Sequence, residues 1–430
     1  MSGAAEPKRP AVVPAEQGVT LANKRRVIFA LMGQVFISMI GISLVSPIMP
    51  IYAQSFGVSA AWVGGLVTAF GVARILVNVP AGSLGERIGR RPLLVGGLLI
   101  TSLAALLSGL AAEFWQLLAF RFLQGVGSAA QTTTAMITLA DISSDSDRGR
   151  NMSLHQGSLL LGASVGPAIG GFVAGLYGYR APFFAYAAMA FLAALWAYIL
   201  VPETKGRTAA RPHGRRSLDA AARPATSGGV LRDLLLNVNF LLISLVTLTI
   251  FFTRSGSRST VLPLLGYNQL GLSEGQLGFS FTLIALFNFA TISASGLLCD
   301  RYGRKAVIVP ASILSGVALF LFTLSRTYGF FLFSGAVLGV ATGLAGPAPA
   351  AYVADIATPG RYGLTMGLYR TFGDVGVSVG PVLLGWIVDH FGYNQALLVN
   401  AAIFIVAGGL FGLVAKETAG RRVRGRVPAA

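Results

Sequence analysis

Long apolar stretches alternate with short polar breaks along the whole chain. Apolar spans fall at 27–52, 60–83, 93–112, 115–140, 152–175 and 181–201, then, after a longer polar stretch, at 238–266, 276–299, 306–325, 329–354, 365–388 and 394–415. About 20 apolar residues carry a helix across the hydrocarbon core of a bilayer. A helix also satisfies its own backbone hydrogen bonds there. The residue-by-residue alternation of a membrane β-barrel is absent. The pattern therefore predicts an all-α polytopic membrane protein with twelve transmembrane helices.

The polar stretch from Glu203 to Leu234 is rich in Arg, Pro, Gly and Ser and reads as a linker. It divides the chain into an amino-terminal tail (1–23), a six-helix bundle (24–202), the linker (203–234), a second six-helix bundle (235–417) and a basic tail (418–430). The first span is too long for a signal-peptide core and reads as a retained helix.

Composition agrees with a membrane protein. Only 11% of the 430 residues are charged, against about a quarter in soluble domains. Cys299 is the single cysteine and there are three histidines, so no intramolecular disulfide, metal centre or cofactor is expected. The net charge of +17 would point to nucleic acid in a soluble protein. Here the basic residues cluster in alternate loops: Arg87, Arg90 and Arg91; Arg148 and Arg150; Arg301, Arg304 and Lys305; Arg421, Arg422, Arg424 and Arg426. The opposite loops hold only Arg180 and Arg326. Positive charge marks the cytoplasmic side. Both termini and the linker are expected there, in a cell (inner) membrane with anionic lipid head groups as partners and no nucleic acid.

The two bundles repeat at a constant offset of 214 residues. Gly82–Arg91 aligns with Gly296–Lys305, Ala140-Asp141-Ile142 with Ala354-Asp355-Ile356, Ser164–Pro167 with Ser378–Pro381, and Gly178-Tyr179 with Gly392-Tyr393. Such repeats place two pseudo-symmetric bundles around a central site, and rocking of one against the other gives alternating access.

Gly82-x-Leu84-Gly85-Glu86-Arg87-x-Gly89-Arg90-Arg91, with its second copy around Gly296, Asp300, Arg301, Gly303 and Arg304, resembles the loop signature of the major facilitator superfamily. Gly41-x5-Pro47-x2-Pro50 resembles the pattern of its twelve-helix drug:proton antiporters. Leu117-x3-Arg121-x2-Gln124-Gly125-x-Gly127 resembles a motif whose arginine is tied to proton coupling. The run Gly162, Gly166, Pro167, Gly170 and Gly171 resembles the antiporter motif, and small residues at that spacing also simply pack helices together. The resemblance implies a monomeric transporter of this fold, with the loop signature as a gate and proton-coupled efflux of a drug-like small molecule. It implies no enzyme activity.

Ionisable residues inside spans are functional candidates. Arg74, Arg121, Arg254, Arg258 and Arg370 lie there, with Asp374 as the one acid deep in a span. Arg370 and Asp374 share a helix face four residues apart, which predicts a pair that either neutralises itself or handles substrate and protons. Gln34 and Ser38 occupy the first span, where no acid falls between Val27 and Ala53. Surplus guanidinium groups favour carboxylates and phosphates. The expected central site comprises Arg121, Arg254, Arg370, Asp374, Gln34 and Asn288, with Asp374 as proton site and His155 as a second possibility. Asn78, Asn288 and Asn400 have packing roles as their plainer reading. No Gly-x4-Gly-Lys-Ser/Thr sequence supports ATP-driven pumping. The expected function is export by alternating access. The alternatives are an importer or exchanger of organic anions, or a receptor or scaffold that does not transport.

Overall fold

A computed structural model describes residues 21–144, 147–204, 234–357 and 362–418. Most of the expected tails and linker (1–20, 205–233 and 419–430) lie outside the described residues.

Every described element is helical. The first span is α1 (Leu21–Val45) and a short α2 (Met49–Gln54), parted near Pro47 and Pro50, because proline removes a backbone donor and crowds the preceding turn. Then follow α3 (Ala60–Ile88), α4 (Arg90–Leu110), α5 (Phe114–Ile142), α6 (Arg148–Tyr177) and α7 (Ala181–Leu200). The second half holds α8 (Val238–Phe252), a π-helical segment (Thr253–Val261), α9 (Leu262–Asn268), α10 (Glu274–Tyr302), α11 (Lys305–Thr323), α12 (Tyr328–Ala345), α13 (Ala348–Ile356), α14 (Tyr362–Phe391) and α15 (Tyr393–Val414). Eleven helical stretches among the described residues are long and apolar enough to cross a membrane. The twelfth, α5, has 29 residues and packs between α3 and α4. Its polar buried face, with Arg121, Gln124, Ser128 and Gln131, lowers its hydropathy.

Within the first half α1 packs on α6 and α7, and α5 on α3 and α4. In the second, α14 packs on α8, α12 on α10 and α11, and α15 on α11. Helices in lipid associate through close packing of small residues. Three glycines of the antiporter-like run serve this purpose on α1. A Cβ at Gly162, Gly166 or Gly170 would lie 2.6, 2.6 or 1.8 Å from the carbonyl oxygens of Phe36, Ile40 and Leu44.

The repeat extends to hydrogen bonds. Gly89 and Gly303 end α3 and α10 with φ of 106° and 102°, a region open chiefly to glycine. Behind them the Glu203 carboxylate accepts from the backbone N–H groups of Arg90 (2.8 Å) and Arg91 (3.1 Å). Glu417, 214 residues on, accepts from Arg304 (3.0 Å) and Lys305 (2.9 Å). A carboxylate at the positive end of a helix is a favourable placement.

The seventh span is not the regular helix its hydropathy predicts. In the stretch Thr-Arg-Ser-Gly-Ser-Arg-Ser-Thr-Val the Ser259 and Thr260 hydroxyls donate to carbonyls five residues back. Asn400 of α15 clamps the segment: it accepts from Thr253 at 2.9 Å and donates to Ser257 at 2.6 Å. Asn400→Leu leaves both buried hydroxyls without this partner, at about 1–3 kcal/mol per unsatisfied group. A lowered melting temperature by circular dichroism is the expected result.

Candidate functional site

The halves meet along two seams at the end opposite the basic loops. On the first, α3 runs antiparallel to α14. Asp389 accepts from the N–H groups of Ala60 (2.7 Å) and Ala61 (2.9 Å) at the start of α3. One turn on, a Cβ at Gly64 would lie 2.2 Å from the Pro381 carbonyl oxygen. Thr68 donates to the Ser378 carbonyl at 2.6 Å, and Gly71 faces Val377. On the second seam, α6 meets α10. A Cβ at Gly278 would lie 2.4 Å from the Pro167 carbonyl oxygen, and one at Gly171 would lie 2.3 Å from that of Glu274. Gly64 and Gly278 are 214 residues apart, as are Pro167 and Pro381, so the two seams are one contact used twice. Asn268 adds hydrogen bonds to Gln54 (3.0 Å) and Tyr393 (2.7 Å), and the Tyr179 and Tyr267 hydroxyls meet at 2.6 Å. Mutual hydrogen bonding and burial raise the Tyr179 phenol well above its ordinary pKa, burial being the larger cause.

Toward the basic end the same four helices part. A Cβ at Gly82 of α3, Gly157 of α6, Gly296 of α10 or Gly367 of α14 would meet nothing within 4 Å. The inter-half hydrogen bonds and glycine contacts named above all lie at the other end, and open space before these four glycines fits a gap between the halves at the end that carries the basic loops.

The intramembrane charges lie where this gap begins. Arg74 follows the last seam contact of α3 by one turn, and Asp374 precedes that of α14 by one turn. Asp374, Arg370 and Arg254 are exposed, and Arg74 is half-buried. Arg74 is in electrostatic reach of Asp374 and Arg254 on the other half, while Asp374 also feels Arg370. Arg74 keeps a 3.3 Å hydrogen bond to Ser128. The predicted Arg370–Asp374 ion pair does not form: no such pair lies within 4 Å among the described residues. Both side chains are exposed.

Two expected cavity residues are corrected. Gln34 is buried, donating to Gln131 at 3.0 Å beside Ser38, which donates to the same oxygen at 3.1 Å. It clamps α1 to α5 because α5 offers a matching amide. Arg121 is also buried, bonded to Gln124 at 2.6 Å and lying 4.8 Å from the Phe70 ring centroid. Asn288 is half-buried and donates to Thr342 at 3.0 Å. This bond repeats that of Arg74 with Ser128 at the 214-residue offset. Arg258 is partly buried beside Arg254. His155 is buried, and its Nε2 has no hydrogen-bond partner.

The loop signatures lie at the rim of the gap. Arg90 pairs with Asp141 at 3.5 Å and donates to the Gly82 carbonyl. Arg304 pairs with Asp300 (2.7 Å) and Asp355 (3.2 Å). The Asp300 hydrogen bond holds the Arg304 guanidinium above its ordinary pKa. Glu86 and Arg87 are exposed. Each of these pairs is internal to one half.

Sequence reasoning missed Gly64, Gly278 and Asp389. The first two carried a signal in their 214-residue spacing. Asp389 sits one residue beyond the predicted eleventh span, and nothing local marks its partner.

A family model described as the Major Facilitator Superfamily matches residues 31–265 and 247–428. Multidrug resistance protein 2 of Bacillus subtilis is 25% identical over 392 residues, covering 90% of this chain and 95% of that protein. Quinolone resistance protein NorA of Staphylococcus aureus is 24% identical over 394 residues, covering 91% and 96%. Among solved structures, a bacterial homolog of the human lysosomal transporter Spinster, in an inward-facing and occupied conformation, superposes with a TM-score of 0.73 at 18% identity. That match covers 96% of this chain and 100% of the other.

Proposed function

The chain belongs to the Major Facilitator Superfamily, and from that premise we propose that it is a proton-coupled exporter of amphipathic small molecules. It is a multi-pass membrane transporter of small molecules, not an enzyme. The observation that carries the finer reading is the asymmetry of the interface, closed by two seams at one end and open at the other. With the basic loops in the cytoplasm, the gap faces inward and receives substrate from the cell. The inward-facing conformation of the Spinster homolog supports that assignment, and the resistance proteins among the relatives support export. Rocking about the seams then turns the site outward. Asp374, the acid at the head of the gap, is the proton site. A substrate bearing positive charge competes there with a proton, which is the linkage an antiporter needs.

A second reading rests on the surplus of cations. Arg74, Arg254 and Arg370 surround that one carboxylate, and guanidinium groups prefer carboxylates and phosphates. An anion bound there would displace Asp374 from Arg74 and favour its protonation, so anion and proton would bind together. Purified protein in liposomes separates the two. The export reading expects a lipophilic cation to be expelled from the basic-loop side when protons flow down an imposed gradient toward that side. The other expects organic anions to exchange with no pH gradient and the cation to stay. Export is overturned by the second result.

A further inference from the structure

We propose that a cavity on the first half, at the end opposite the basic loops, seats the phosphate of an anionic lipid from that leaflet. The site is separate from the gap and does not depend on which substrate the gap carries. The cavity has a volume of about 490 Å³, a size at which small-molecule sites are found. Tyr52, Ser55 and Phe56, from α2 and the turn after it, line one side. Tyr177, Tyr179 and Arg180, from the end of α6 and the turn to α7, line the other. All of them belong to the first half, so rocking of the halves leaves the cavity whole.

Arg180 is the one charged residue of this lining among the described residues. Its guanidinium donates to the Ala111 carbonyl at 3.3 Å, and the buried Tyr52 donates its hydroxyl to the same oxygen at 3.3 Å. The shared acceptor fixes the guanidinium against the cavity wall. A guanidinium carries five N–H donors, so donors remain for a ligand. No described carboxylate lies within 4 Å of it, and a guanidinium favours phosphates and carboxylates. The surroundings favour a lipid as the source of that anion. Trp115 follows Ala111 by one turn, is exposed, and packs edge-on against the exposed Trp62 at 4.9 Å. Tryptophans of this kind mark the membrane interface, which puts the cavity at head-group depth. Phe172 and Leu176, one turn apart on α6, are exposed and lead to it. An acyl chain on that face brings its phosphate to Arg180, whereas a soluble anion uses none of the face. The basic loops attract anionic lipid in the other leaflet, so they do not account for this site.

The test titrates purified, lipid-stripped full-length protein with phosphatidylglycerol and follows each binding step by native mass spectrometry. Arg180→Gln removes the charge, and Ser55→Trp fills the cavity while leaving the charge in place. Each should weaken one binding step at least about tenfold, the loss of a hydrogen bond to a charged group. Ser55→Trp carries the test if Arg180→Gln fails to fold. Arg326→Gln, which alters the other arginine of the loops on that side, should leave every step unchanged. Diacylglycerol, which lacks the phosphate, should not occupy the site, and glycerol 3-phosphate at equal concentration should not displace the lipid. Wild-type binding by Arg180→Gln overturns the proposal. So does an equal loss in Arg326→Gln, since general surface charge then explains the binding. Displacement by glycerol 3-phosphate overturns the lipid as occupant and leaves a site for a soluble phosphate. Diacylglycerol binding as tight as that of phosphatidylglycerol overturns recognition of the phosphate.

Discussion

Asp374→Asn is expected to abolish proton-driven transport while the protein still reaches the membrane. The substitution keeps the volume of the side chain and removes its charge. Asp374 is exposed at the head of the gap, with Arg370 on its own helix and Arg74 across the interface in electrostatic reach. Arg74 retains its bond to Ser128 without it. Folding should therefore be little changed, because none of the seam contacts involves Asp374. Proton linkage needs a group whose charge differs between the two states, and asparagine has none. Everted vesicles given a pH gradient should accumulate no substrate above background. Substrate binding at fixed pH should stay within about tenfold of wild type, a change of about 1.4 kcal/mol. Full gradient-driven transport by this variant would exclude Asp374 as the proton site. The rival role is charge neutralisation of the surrounding arginines, and the double variant with Arg370→Gln separates the two. If Asp374 only neutralises, removing an arginine as well restores transport. If it carries the proton, the double variant stays inactive.

Much of this architecture was legible in the sequence because hydropathy reports directly on lipid, and a repeat reports on symmetry. The 214-residue offset found in four motifs reaches into the structure as the Glu203 and Glu417 caps and the mirrored seams. The α5 helix shows where hydropathy falters, since its buried polar face is hidden from lipid by neighbours the sequence does not place. The site was legible only in part. Arg254, Arg370 and Asp374 are exposed, but Gln34 and Arg121 are buried. A polar residue in a span either lines water or meets a partner on another helix. That choice was made for Gln34 by Gln131, and for Arg121 by Phe70 and Gln124. The helix-face spacing of Arg370 and Asp374 predicted a pair, yet both side chains are exposed and form no ion pair with each other. The π-helical segment was hidden because a change from i−4 to i−5 hydrogen bonding leaves hydropathy untouched.

Gly64→Ala and Gly278→Ala should each drive the seams apart and open the end opposite the basic loops. Added methyl groups would lie 2.2 Å and 2.4 Å from carbonyl oxygens of the other half, far inside van der Waals contact. The obstacle is backbone on a packed helix, so no side-chain rotation relieves it. Alanine is favoured over glycine within a helix by about 0.5–1 kcal/mol, so the helices themselves should persist. Overpacking of this kind costs about 1–3 kcal/mol. That cost falls only on the conformation in which the seams are closed. At about 1.4 kcal/mol per factor of ten, the population open at the end opposite the basic loops rises up to about a hundredfold. Asp389→Asn, which weakens the charge-assisted hold on the start of α3, should move the equilibrium the same way by a smaller amount. The measurement places a cysteine at Thr68, inside the first seam, in a Cys299→Ser background. A membrane-impermeant maleimide is then added from outside. Labelling should be slow in the parent and faster in all three variants. Gly96→Ala and Gly409→Ala are the controls, since their methyl groups enter open space on α4 and α15, outside the seams, and should leave the rate unchanged. Parent-like labelling in both Gly64→Ala and Gly278→Ala would mean that the seams are not what holds that end shut. If labelling rises in the glycine variants but not in Asp389→Asn, glycine packing alone holds the closed state and the carboxylate only caps its helix.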